Sequence, residues 1–240
     1  MTVVAGLLIL ISLTIVHEAG HWLAVRLKGG RVLRLSIGRG APIVRRGGDP
    51  EIRVGLLPLG GRIDYEGIPR GMGQAVVALG GSVANLLFAT VLFAAGALLF
   101  GVDAFAPAGW TGGGAWAFAL ESVSGWFWII PGTIADLVVS QQMGGLRGAV
   151  SFLGGLLAGG EAAGLVYLFA AASALWASLN LIPIPGVGTD GWHVLRSVAG
   201  SIGSSVRGSK RDPEPERPDT DAPADSPADP PADPPVGMDR

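Results

Sequence analysis

The chain has 240 residues, 49% of them hydrophobic and only 15% charged, with a mean hydropathy of +0.48. A soluble domain carries nearer a quarter charged residues, and the apolar residues here gather into long blocks, so composition points to a membrane protein. Cysteine is absent, which excludes a disulfide framework, thiolate zinc ligands and a cysteine nucleophile, and the net charge of −2 gives no overall basic bias towards nucleic acid.

Residues 3–25 form the first apolar block, long enough to cross a bilayer as a helix. A signal peptide is the competing reading, but there is no positively charged n-region and no small-residue cleavage site follows. Three ionisable residues, His17, Glu18 and His21, also lie inside the block. Residues 26–71 are Gly-rich and basic, with ten Lys/Arg against four Asp/Glu in 26–70 and no interleaved aromatics of the kind that line nucleic-acid surfaces. Within them Ile52 to Tyr65 reads as two short strands joined by a turn at Pro58 to Gly61, a β-element over about 51–67.

Residues 72–101 are apolar again but slightly too long for one straight span, and Gly80-Gly81-Ser82 interrupts them. The stretch 72–82 therefore reads as a partly inserted or re-entrant piece and 83–101 as the second span. Residues 102–146 carry Trp110, Trp116, Trp126 and Trp128, side chains suited to a membrane interface. A short amphipathic or half-inserted helix is expected within 115–140, with a further full span at 115–135 as the alternative. The last apolar block, 147–182, has its clearest span at 162–182; the segment 191–206 is too short and too polar for another. From 207 onward the chain is Pro- and Asp-rich, and 212–240 holds nine acids against two Arg. Such a segment cannot bury enough apolar surface to offset its ordering entropy and should be disordered. The expected organisation is thus a membrane domain over 1–206 and a tail over 207–240. The expected fold is an all-α integral membrane protein with about three transmembrane helices, a small membrane-associated β-hairpin or sheet and a re-entrant segment. Positive residues are retained inside, so the loop 26–71 and the tail should be cytoplasmic and the N-terminus outside.

The chemistry is concentrated in His17-Glu18-Ala19-Gly20-His21. Residues i and i+4 share one helix face, so both imidazoles can bind one metal ion, and Glu18 beside them can act as general base towards an activated water. Zinc suits two imidazoles and a carboxylate. An accidental H-E-x-x-H is common in soluble helices, but ionisable residues are costly inside a span and are suppressed there. A third ligand is needed. Asp190 closes the segment Asn180 to Gly191 (NLIPIPGVGTDG), where two prolines end the last helix and glycines let the chain fold back on the same side as His17 and His21. His193 is the other candidate, read more simply as an interfacial histidine.

These pieces resemble the site-2 protease family of intramembrane zinc metallopeptidases, in a compact form without the PDZ domain that some relatives carry. HEAGH, PLGGRIDYEG, GGSVANLL and NLIPIPGVGTDG stand in the family's order over most of residues 1–195. The resemblance implies one zinc per chain held by His17, His21 and Asp190, with Glu18 as general base. Asn85 and Asn180 would lie near the site and help to hold substrate or transition state, and PLGGRIDYEG would offer a β-edge to an extended substrate. The implied reaction is cleavage of the transmembrane helix of a membrane-bound protein by zinc-activated water, in regulated intramembrane proteolysis. An anti-sigma factor or a membrane-tethered transcription factor would be the typical substrate, membrane lipid the surroundings, and nucleic acid no partner. Two departures stand out: Ser82 replaces the proline of the family's G-P-x-x-N element, and Asp190 lies two residues farther from the last proline than the family places it. A catalytically inactive relative that binds transmembrane helices as a regulator is the alternative. A cation transporter would show repeats or paired broken helices, and neither is visible.

Overall fold

The first apolar block is drawn out as one helix, α1 (Thr2–Leu27). It ends at glycines: Gly29 takes φ 77°, Gly30 N–H bonds to Val25 O at 2.9 Å and Gly29 N–H to Arg26 O at 3.0 Å, the left-handed closure that satisfies terminal carbonyls. Next come β1 (Arg31–Arg46) and β2 (Glu51–Glu66), then α2 (Met72–Phe100), a 3-10 turn (Val102–Ala104), α3 (Ala115–Ser140), α4 (Ala162–Leu181) and α5 (Asp190–Gly208). This computed structural model describes residues 2–104, 112–140, 147–148, 150–151, 153, 155 and 161–208. The tail expected over 207–240 therefore lies outside the described residues from 209 onward, while α5 carries through Gly208.

Three helices, over Gly6–Leu27, Met72–Phe100 and Ala162–Leu181, are long and apolar enough to cross a membrane. The protein is a helical membrane protein with a small sheet. The region 115–140 forms one 26-residue helix with Pro131 inside it, rather than a short one, but α3 is not among those three. Where α2, α3 and α4 meet, Ala89, Phe93, Ala94 and Ala97 pack on Phe118, Ala119 and Trp126 and on Ala170, Ala171 and Ala174. Small side chains bring the helix backbones close, which is how association is gained where lipid competes for every apolar contact.

One expectation is corrected. The helix α2 runs without a break from Met72 to Phe100, so 72–82 is no re-entrant piece. Its glycines serve a crossing instead. A Cβ on Gly80 would lie 2.7 Å from Gly20 O and 2.8 Å from Ala24 Cβ, and one on Gly20 would meet Gly80 O. The turn expected at Pro58 to Gly61 lies where the chain reverses. Within β2, residues 51–54 run parallel to 34–37 whereas 61–64 run antiparallel to the same segment, and the connection from β1 to β2 falls at 47–50. Pro58, Leu59 and Gly60 lie between the paired positions Arg39↔Leu57 and Ile37↔Gly61, within the reversal that joins the two halves of β2. Segment 34–37 is thus a middle strand, flanked by 61–64 on one side and 51–54 on the other.

The sheet docks on the membrane helices. Val32 joins Ala24, Val25 and Val77 in a second core cluster, flanked by Ile63, Tyr65 and Ile68. Higher up, Thr14 Oγ1 donates to Pro58 O at 3.0 Å. Thr14 is about 20 Å from the Leu27 end of α1 at 1.5 Å per residue, so the turn of β2 reaches well along the span. Leu56 and Leu57 are exposed beside it.

Candidate metal centre

His17 and His21 project from adjacent turns of α1 into the α1–α2 crossing, with ring centroids 4.8 Å apart. Both are buried, as are Glu18 and Asp190. The room for two imidazoles comes from Gly81 on α2, where a Cβ would lie 2.6 Å from His21 Nε2 and 2.7 Å from His17 Nε2.

Asp190 arrives from the far end of the chain as the first residue of α5. After α4 stops at Leu181, residues between Pro183 and Thr189 loop out, with Gly186 and Gly188 at φ 82° and 74°. Thr189 closes the loop: its Oγ1 donates to Ile182 O at 2.7 Å and accepts from Ile184 N–H at 3.3 Å. Gly191 then sits so tightly on Leu181 O that no side chain fits there. The residues between Pro185 and Asp190 are taken up in this loop, and the aspartate lands beside the histidines.

The donor atoms converge. His17 Nε2 and His21 Nε2 are 3.2 Å apart, Asp190 Oδ2 is 3.3 Å from His17 Nε2, and Asp190 Oδ1 is 3.3 Å from His21 Nε2. A tetrahedral zinc with bonds of about 2.0–2.1 Å separates its ligand atoms by about 3.3 Å, so these residues fit the ion. Donor chemistry agrees. His21 Nδ1–H donates to Val77 O at 2.7 Å, which leaves the Nε2 lone pair facing the carboxylate oxygens. Such an electron-rich, buried cluster calls for a cation. Among the described residues these three are the one group of His, Asp and Glu side chains spaced to hold a metal.

Around the ligands, Ser82 Oγ donates to Asp190 Oδ2 at 2.9 Å and Asn85 Nδ2 lies 3.3 Å from His17 Nδ1. Asn85 is in turn held from α4, where Ser173 Oγ donates to its backbone carbonyl at 2.9 Å. Glu18 faces the sheet: a Cβ on Gly61 would lie 2.5 Å from its Cδ and Oε1. Asn180 is not brought into this cluster. Its Nδ2 donates to Trp176 O, one turn back on its own helix, at 2.9 Å. His193 is exposed on α5 and is not part of the metal-holding group. The reading of the sequence missed the parts played by Gly81, Gly61, Thr189 and Ser82, because each depends on which residue lies opposite.

A His-Glu-x-x-His helix inside an apolar span, completed by an aspartate that follows another span, defines a membrane-embedded metallopeptidase-type centre. The chain belongs to peptidase family M50, whose family model matches residues 5–212. Zinc is accordingly its cofactor. Two cyanobacterial relatives carry the name "putative zinc metalloprotease": one from Nostoc sp., 32% identical over 112 residues, and one from Synechocystis sp., 31% identical over 109 residues. A third, from Neisseria meningitidis, bears the same description and is 44% identical over 59 residues. These alignments cover 40%, 38% and 24% of this chain, but only 31%, 30% and 13% of the respective relatives, so the matched stretch spans less than a third of each.

Proposed function

We propose that the protein is an intramembrane zinc metalloprotease that hydrolyses a peptide bond within the transmembrane helix of a membrane-bound protein. The observation that carries this reading is the buried convergence of His17, His21 and Asp190 with Glu18 next to them, about 9–15 Å from the Leu27 end of an apolar helix. His17, His21 and Asp190 hold the zinc. A zinc ion bound there supplies a positive charge that acidifies water and polarises a carbonyl.

Glu18 moves the proton. Its carboxylate accepts a proton as the water oxygen adds to the scissile carbonyl carbon, and returns it to the amide nitrogen as the C–N bond breaks, so the two products are a carboxylate and an amine. The apolar surroundings keep bulk water from the carboxylate and make its charge interactions stronger than they would be in solution. The β2 segment from Gly61 onward lies beside Glu18 and offers an extended backbone along which an unwound substrate segment pairs. The substrates belong with single-pass regulators handled by regulated intramembrane proteolysis, an anti-sigma factor or a tethered transcription factor being the type. The basic loop faces the cytoplasm, so cleavage falls towards the cytoplasmic leaflet.

The test is zinc per chain in detergent-purified protein. About one zinc is expected in the wild type, with loss in His21→Ala and in Asp190→Ala. Glu18→Gln should keep the metal and lose cleavage of a transmembrane substrate. Wild type without zinc, even when zinc is supplied during purification, would overturn the protease reading. Cleavage unimpaired in Glu18→Gln would remove that residue from the mechanism.

A further inference from the structure

The orienting partners of all three ligands come from one stretch of α2. Val77 O takes the Nδ1 proton of His21, Ser82 Oγ donates to Asp190 Oδ2, and Asn85 faces Nδ1 of His17. Ser82 and Asn85 are each 0% exposed, so neither side chain has bulk water as an alternative partner. We propose that Ser82 and Asn85 are positioning residues of the metal centre: Ser82 fixes the Asp190 carboxylate, and Asn85 fixes the tautomer of His17 through its side-chain carbonyl. The inference rests on the assignment of zinc to His17, His21 and Asp190.

For Ser82 the argument is one of supply and geometry. Asp190 sits at the end of a lengthened loop, where its carboxylate has rotational freedom that the backbone does not remove. A hydroxyl 2.9 Å from Oδ2 removes that freedom and still leaves lone pairs on both oxygens, since a carboxylate has about four acceptor sites. The motif that the chain resembles has a proline at this position, which donates nothing. Here the donor stands opposite the displaced aspartate, so the two departures in the sequence meet in one hydrogen bond.

For Asn85 the argument turns on protons. A histidine that binds metal through Nε2 carries its proton on Nδ1, and that N–H needs an acceptor. With the amide nitrogen of Asn85 towards His17, two donors would face each other, while Asn85 Oδ1 is a buried acceptor without a donor. Turning the amide over exchanges atoms that differ only in their hydrogens and places Oδ1 against the His17 Nδ1–H. Both histidines are then oriented alike, one by a backbone carbonyl and one by a side-chain carbonyl.

The bland alternative is that both residues merely fill the helix crossing. The experiment that separates the two is zinc affinity by chelator competition on the full detergent-purified chain, together with the visible spectrum of the cobalt-substituted protein. Ser82→Ala and Asn85→Leu are expected to weaken zinc roughly ten-fold or more and to alter the cobalt bands. Ser82→Thr and Asn85→Asp, which keep the hydroxyl and the acceptor, are expected to stay near wild type. Leu and Asp have similar size at residue 85, so a packing role would treat them alike or favour the leucine. Zinc affinity and cobalt bands unchanged in Ser82→Ala and Asn85→Leu, with wild-type elution on size exclusion, would overturn the proposal. Wild-type protein that bound no zinc, or kept it in His17→Ala, would instead overturn the ligand assignment beneath it.

Discussion

A single methyl group separates this centre from one that cannot form. At residue 81 a Cβ would stand 2.6 Å from His21 Nε2 and 2.7 Å from His17 Nε2, closer than real carbon contacts allow. Neither ring can retreat freely, because each is held from behind, His21 at Val77 O and His17 at Asn85. Gly81→Ala is therefore expected to spread the two Nε2 atoms and to lower zinc affinity by roughly the ten- to hundred-fold that misoriented ligands cost. Gly132→Ala is the control, since nothing lies within 4 Å of a Cβ there. Zinc competition on both variants checks this. Wild-type affinity in Gly81→Ala would mean that α1 and α2 separate more easily than their Gly20–Gly80 contact implies.

At the scale of elements, the sheet has its own electrostatic support, apart from the metal. Glu51 accepts from Arg53 Nε at 2.9 Å and from Arg34 Nε and Arg45 Nε, each at 2.8 Å. Arg53 first, then Arg34 and Arg45, hold its carboxyl down at about 2 against an ordinary value of 4.5. A carboxylate depressed in this way supports the folded sheet fully above its unfolded pKa, and that support is lost as pH falls from about 4.5 through about 2. Amide exchange over residues 31–66, corrected for its intrinsic pH dependence, should accelerate across that interval in wild type. In Glu51→Gln the acceleration should be absent, and identical profiles would remove the ion network from the account. Exposed pairs are individually weak, so the effect belongs to the hairpin rather than to the whole molecule.

How much of these elements could be read in advance follows from the same physics. The spacing of His17 and His21 needs only helix periodicity, and Asp190 needs only the depth at which its loop emerges, so that trio was legible. Gly80, Gly81 and Ser82 were not, because a run of small residues looks the same whether it breaks a helix or lets another one in. Pro58 and Gly60 were legible as a turn, but that the two halves of β2 take opposite sides of 34–37 was not, because only the partner strand decides it. Asn180 matched a motif, but its amide is satisfied by Trp176 O within its own helix, and no spacing rule reports that.

At the scale of the whole molecule, the same side of the membrane should hold the basic hairpin, the start of α2 and the loop before α5. These segments meet at the metal centre through Gly61, Gly81 and Asp190, so they are bound to one end of the bundle whichever way the protein inserts. Ten Lys/Arg against four Asp/Glu in residues 26–70 are the basis of the proposed direction, since basic residues next to spans tend to be retained in the cytoplasm. A chain without cysteine makes the choice measurable. Gly47, between the strands, and Gly114, just before α3, are exposed with nothing within 4 Å of a Cβ. Gly47→Cys should react with a membrane-impermeant maleimide only after cells are permeabilised, whereas Gly114→Cys should react in intact cells. The reverse pattern would put the hairpin, and with it Glu18 and the zinc ligands, near the outer leaflet. Cleavage would then release an outward-facing fragment, and a substrate acting in the cytoplasm would be excluded by geometry alone.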